Sequence, residues 1–265
     1  MVMIPSGPAA NMLSGSDDAK KDQVLGFVFV LIVGLIAGTF SGIVGTGSSI
    51  MLMPVLVYEY GPKQAVPIMA VASVLANISR ILAWWREIDW RACAAYSISG
   101  IPAAALGART LLALPSHVVD ISIGLFLMAM VPVRHWLARH ELKAKLLHLA
   151  IGGAVIGYLT GIVVSTGPLS VPLFLFYGLN KGAFLATEAA SSLGLYFSKS
   201  VTFERFGALT SELALKGLIA GSSLMFGAFI AKHFVLHLKP EAFRMMMDGI
   251  IFAAGLSLLW TAITS

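Results

Sequence analysis

The sequence predicts an all-α polytopic membrane protein. It is built of two homologous halves of about four transmembrane helices each, and each half has a broken or re-entrant first element. Three observations carry this: an apolar, charge-poor composition, a series of uncharged runs of spanning length, and an internal repeat. Of 265 residues, 58% are hydrophobic and 12% charged, where ordinary soluble domains carry roughly 25% charged residues. Mean hydropathy is +0.87. A soluble fold of this size needs more charge to cover its surface, so soluble enzymes and nucleic-acid-binding domains are disfavoured. The net charge is +5, but the basic residues sit in short gaps between apolar runs instead of forming a stripe. That pattern belongs to membrane topology and not to a polyanion partner. Cys93, the single cysteine, leaves no internal disulfide or multi-cysteine metal site.

A bilayer core needs about 20 consecutive apolar residues as helix. Residues 1–22 are polar and read as a flexible cytoplasmic tail. The first repeat, 23–137, opens with an uncharged span over 24–45, followed at once by a half-length run over 46–58. Spans follow over 64–85, 92–114 and 117–137. A cytoplasmic linker, 138–145, leads to the second repeat, 146–265. It holds spans over 146–164, 182–203, 213–231 and 241–262, with a second half-length run over 167–178. The gap containing Arg86 and Arg91 and the gap containing Arg134, Arg139, Lys143 and Lys145 lie two crossings apart. Both are therefore on one side, and their charge makes it cytoplasmic. Trp84, Trp85, Trp90, Trp136 and Trp260 fall near span ends, as an interfacial aromatic belt requires.

The repeat is visible residue by residue. Gly34, Gly38 and Gly42 recur as Gly153, Gly157 and Gly161 at a constant offset of 119. Gly47 matches Gly167, Pro54 matches Pro172, and Ser73 matches Ser191. Glycines at i, i+4 suit close packing of membrane helices. The following stretches do not continue as regular helix: Gly45-Thr46-Gly47-Ser48-Ser49 with Pro54, and Ser165-Thr166-Gly167-Pro168 with Pro172. Glycine loosens the backbone and proline removes a donor. Duplicated interruptions at corresponding positions are the best sequence pointer to a transporter's substrate site. Half-helices starting near Ser48 and Leu169 would aim N–H groups and positive dipole ends at a cavity, which favours an anion. Two halves of four spans are parallel, whereas an added crossing by each half-length run makes them inverted. Gated sites between inverted halves suit alternating access.

At these residues the chain resembles the TauE/SafE sulfite-exporter family, which carries a GxxxGxxGxGG…P signature in each half. The first copy here reads GTFSGIVGTGSSIMLMP and the second GYLTGIVVSTGPLSVP. The following segments AVPIMAVASVLAN and AFLATEAASSLGLYFSK resemble the family's second helices, and Asp89-Trp90-Arg91 is a further shared feature. Ser48 and Ser49 stand where the family has glycines, and Val164-Ser165 interrupts the second copy. The resemblance covers roughly 24–262. It implies a multi-pass inner-membrane transporter, an exporter of sulfite, sulfonates or another small sulfur-containing anion; the polar tail itself reads as a cytoplasmic N-terminus.

Polar groups inside spans name the candidate site. Charged side chains within a span are functional candidates by default. Arg80 and Lys199 fall at nearly equivalent repeat positions and form a pair of cations for an anion bound between the halves, unless each snorkels to the headgroups. Glu188 is the acid for proton coupling or for offsetting Lys199. Ser73, Asn77, Ser191 and Ser192, with Gly45, Thr46, Gly47, Ser48, Ser49, Ser165, Thr166 and Gly167 from the interruptions, complete the set of substrate contacts. The alternative for the hydroxyls is interhelical hydrogen bonding, worth about 0.6 kcal/mol per contact. No Ser-His-Asp set, zinc motif or Walker lysine occurs, so no enzyme activity, metal or cofactor is expected. The partners are a small anion and the lipid bilayer, and a homodimer is compatible with the sequence. An anion channel and a non-transporting membrane subunit are the alternative functions.

If the interruptions bring backbone against the substrate, Gly47→Val and Gly167→Val each abolish transport while membrane insertion persists. Transport assays on both variants at matched membrane content check this, and normal rates in both would leave the glycines with packing alone.

Overall fold

A computed structural model describes residues 9–44, 48–115, 143–163, 166–179 and 181–234, together with 118, 121, 125, 128, 129 and 132. The expected span over 241–262 and most of that over 117–137 lie outside the described residues. Gly45, Thr46, Gly47 and Ser165 do too.

Among the described residues the chain forms eight α-helices. Helix α1, Ala9–Val44, is 36 residues long. It starts well before residue 23, so helix replaces much of the expected flexible tail. No proline follows Pro8 until Pro54, and the intervening Ala, Met, Leu and Lys residues favour helix. Helix α2, Ser48–Tyr60, contains Pro54. Gly61, at φ +76°, turns the chain into α3, Pro62–Trp84. A backbone angle of that sign suits glycine.

A 3₁₀ turn, Trp85–Glu87, leads to α4, Trp90–Ala113. Asp89 of the Asp-Trp-Arg turn caps α4: its carboxylate accepts from the Arg91 and Ala92 amides at 2.9 and 3.0 Å, the usual work of an N-cap aspartate. The remaining helices are α5, Leu146–Ile162; α6, Gly167–Phe176; α7, Lys181–Arg205; and α8, Ser211–Phe234. Among the described residues, three helical stretches are long and apolar enough to cross a membrane: Leu25–Gly42, Lys63–Glu87 and Ser211–Ile230. Phe29, Ile98, Ile151, Phe197 and Phe226 are all exposed. An outer face of that kind suits lipid and not water.

The packing is interleaved. Helix α1 lies on α8, α5 lies on α4, and α3 touches both α7 and α8. Small residues make this possible. A Cβ on Gly157 would overlap the Gly100 carbonyl, one on Gly161 the Ala104 carbonyl, and one on Gly38 the Leu224 carbonyl. One apolar cluster gathers Leu52, Leu56, Met69 and Leu224; the other gathers Tyr96, Leu149, Phe174 and Leu195.

Because Gly157 meets backbone and not a side chain that can rotate away, Gly157→Ala forces α4 and α5 apart. Overpacking of this kind costs about 1–3 kcal/mol, and a thermal melt of the detergent-purified variant should show a Tm several degrees below wild type.

Candidate functional site

Helical periodicity collects the buried polar groups. Ser73, Asn77 and Arg80 stand at i, i+4 and i+7 on α3, which is one face. Glu188, Ser192 and Tyr196 repeat every fourth residue on α7. Ser41 comes from α1, Ser48 and Ser49 from the first turn of α2, Thr160 from α5, and Thr166 and Gly167 from the start of α6. These residues line one cavity of about 30 Å³. That volume admits one or two water-sized groups.

Arg80 and Glu188 dominate its electrostatics. Arg80 Nη1 donates to Glu188 Oε2 at 2.7 Å, with both side chains nearly fully buried. Arg80 Nη2 donates to Asn77 Oδ1, and Asn77 Nδ2 donates to the Ser73 carbonyl at 2.8 Å. Glu188 Oε1 accepts from Ser170 Oγ at 3.1 Å and Ser192 Oγ at 2.8 Å. Ser49 and Ser73 meet at 3.5 Å, and Tyr196 lines the cavity with them. The Thr160 and Thr166 hydroxyls share a hydrogen bond across the interruption between α5 and α6. The N-terminal turns of α2 and α6 both border the cavity, and their dipoles favour negative charge there.

Of the residues expected at the site, the cavity brings together Ser48, Ser49, Ser73, Asn77, Arg80, Thr166, Gly167, Glu188 and Ser192. Ser191 is not among its lining; its hydroxyl bonds the Thr187 carbonyl at 2.7 Å. Arg80 turns inward to an acid and does not snorkel. Glu188 pairs with Arg80 and not with Lys199. Lys199 is buried behind the cavity wall. Its Nζ donates to the Thr160 and Val163 carbonyls at 2.6 and 2.9 Å and lies 5.5 Å from the Phe203 ring centroid. An ammonium at the last carbonyls of α5 satisfies groups that the helix end leaves open and complements the dipole. Sequence reasoning missed Ser41, Thr160, Ser170 and Tyr196. The repeat held the signal for two of them, since Ser41 and Thr160 stand 119 apart, each just before a paired glycine.

The model of the sulfite exporter TauE/SafE family matches residues 30–258. The chain belongs to the sulfite exporter TauE/SafE family. It is 30% identical over 191 residues to the "Probable membrane transporter protein y4hK" of Sinorhizobium fredii (strain NBRC 101917 / NGR234), over 66% of this chain and 73% of that relative. No solved structure matches. As a TauE/SafE protein the chain is a membrane transporter, and the hydroxyl-rich cavity with its buried ion pair is the candidate site of that family member.

Lys199 is the residue whose place most changes its expected role. Lys199→Met removes hydrogen bonds to a charged group, worth about 1.5–3 kcal/mol, and should lower the Tm of the purified protein by several degrees while the folded fraction keeps wild-type anion affinity. An unchanged Tm with weakened binding would put Lys199 against the substrate.

Proposed function

We propose that this TauE/SafE protein is a carrier, an exporter in the inner membrane, for a small sulfur-containing oxyanion such as sulfite or an organosulfonate. The observation that carries the reading is Arg80, a buried guanidinium facing a cavity otherwise rich in hydroxyls. A guanidinium presents several donors in a planar fork that matches an oxyanion's geometry. The hydroxyls of Ser48, Ser49, Ser73, Thr166 and Ser192 supply further donors, and the first turns of α2 and α6 supply positive dipole ends. The family's own description, a sulfite exporter, agrees with that chemistry.

In this reading the chain is two related halves whose first elements are broken within 44–49 and 164–169. Their interleaved packing supports it, since α1 lies on α8 as α5 lies on α4. Residues Gly45, Thr46, Gly47 and Ser165 complete the site from the interruptions. The carrier alternates access to the cavity, with the multi-pass chain's N-terminus in the cytoplasm. Glu188 is the acid for proton coupling.

Purified protein in proteoliposomes should move sulfite or an organosulfonate down an imposed gradient at carrier-like turnover, and Arg80→Gln should abolish it. Single-channel currents would replace the carrier with a channel. No flux of sulfite, sulfate, thiosulfate or organosulfonates in a folded preparation would remove the transport reading of the cavity.

A further inference from the structure

The anchor that the carrier reading gives to the substrate is already held by an internal anion. Arg80 Nη1 is bound to Glu188 Oε2, and Nη2 to Asn77. Arg80 and Glu188 are the only charged residues among the described residues lining the cavity, so the lining is neutral as it stands. The cavity of about 30 Å³ is small for an oxyanion unless the carboxyl moves aside.

The two oxygens of Glu188 have different surroundings. Oε1 accepts from Ser170 and Ser192, while Oε2 faces Arg80. A carboxylic acid carrying its proton on Oε2 still accepts at Oε1. Protonation therefore leaves both serine bonds intact and gives up only the bond to Arg80. The carboxyl is thus held from one side in either charge state and released from the other in one of them.

We propose that Glu188 is a tethered surrogate for the substrate: a monovalent oxyanion takes its place on Arg80 as Oε2 binds one proton, so the carrier moves one proton with each anion. The inference rests on the carrier reading above and adds its coupling ion and the charge of its substrate. The charge balance is explicit. Arginine and glutamate sum to zero. An anion alone leaves one negative charge in a buried site, where uncompensated charge is costly. A proton entering from the same aqueous side forms the O–H bond on Oε2 and restores neutrality, with no covalent bond of the anion broken. A dianion leaves a net negative charge even then. The site therefore selects bisulfite or a sulfonate over sulfate and thiosulfate.

The titratable groups around Glu188 among the described residues are Arg80 from α3, Tyr96 from α4 and Tyr196 from its own helix. Helix α6 contributes the Ser170 hydroxyl. Neither tyrosine carries charge that would replace the proton at neutral pH.

Methanesulfonate is the probe, because it stays a monoanion across the working range. Its Kd for the purified full-length protein should weaken by about tenfold per pH unit wherever binding takes up one proton, the slope of one linked proton. A pH dye in weakly buffered solution should record one proton taken up per anion bound. In proteoliposomes, an inward methanesulfonate gradient should acidify the lumen. Glu188→Gln should bind with no pH dependence and carry the anion without protons. The dye measurement on the wild-type protein decides the matter even if that variant does not fold. Binding with a flat pH profile and no proton uptake, or sulfate binding as tightly as methanesulfonate, overturns the inference and leaves the carrier reading standing. Failure of every anion in the panel to bind folded protein defeats the carrier reading itself.

Discussion

Arg80 and Glu188 lie 108 residues apart in the chain and 2.7 Å apart in space, and neither can be buried alone. Breaking such a pair typically costs about 3–5 kcal/mol, because the remaining charge stays in a medium that cannot solvate it. The pair therefore ties α3 to α7 across the middle of the molecule. Its remaining hydrogen-bonding capacity sets what must surround it: Asn77 on the guanidinium side, Ser170 and Ser192 on the carboxylate side. The link is reinforced beyond the cavity, where the Asp89 amide donates to Thr187 Oγ1 at 2.9 Å. One aspartate turn thus caps α4 and fastens it to the helix that carries Glu188.

Close approach of helices makes that geometry possible. In lipid there is no hydrophobic drive between apolar helices, so backbone contact through small residues does the packing. Gly38, Gly157 and Gly161 each face a carbonyl of the opposing helix. Side chains join the end of α5 to the start of α6. The Thr160 and Thr166 hydroxyls bond one another, and the Lys199 ammonium takes up the Thr160 and Val163 carbonyls. A helix end at membrane depth is tolerated where protein satisfies its polar groups, and the Lys199 ammonium does so for the Thr160 and Val163 carbonyls.

The same arrangement bears on transport. A neutral pair inside a small polar cavity is cheaper to enclose than a lone cation. In the carrier we propose, an anion site built this way needs an exchange of partners before it can load. On that proposal, burial that stabilises the empty site and burial that selects the charge of its ligand are one physical effect, and the serine bonds to Oε1 let the exchange occur without dismantling the rest of the network.

Much of this was legible in the sequence. Spanning helices follow from long uncharged runs, because backbone in lipid must bond to itself. The ends of α3 and α4 lie close to where composition changes. Most of the cavity's polar residues could be named in advance, since hydroxyls, amides and charges within apolar spans have few other reasons to be there. Two things were decided only by tertiary structure. One is pairing: two cations at equivalent repeat positions read alike in sequence, yet Arg80 meets Glu188 and Lys199 meets two carbonyls, because the rotation of each helix sets which neighbours a side chain reaches. The other is membership of the cavity. Ser41, Thr160 and Tyr196 enter it, and Ser191 does not, because helices distant in sequence cross at that depth and turn those faces inward.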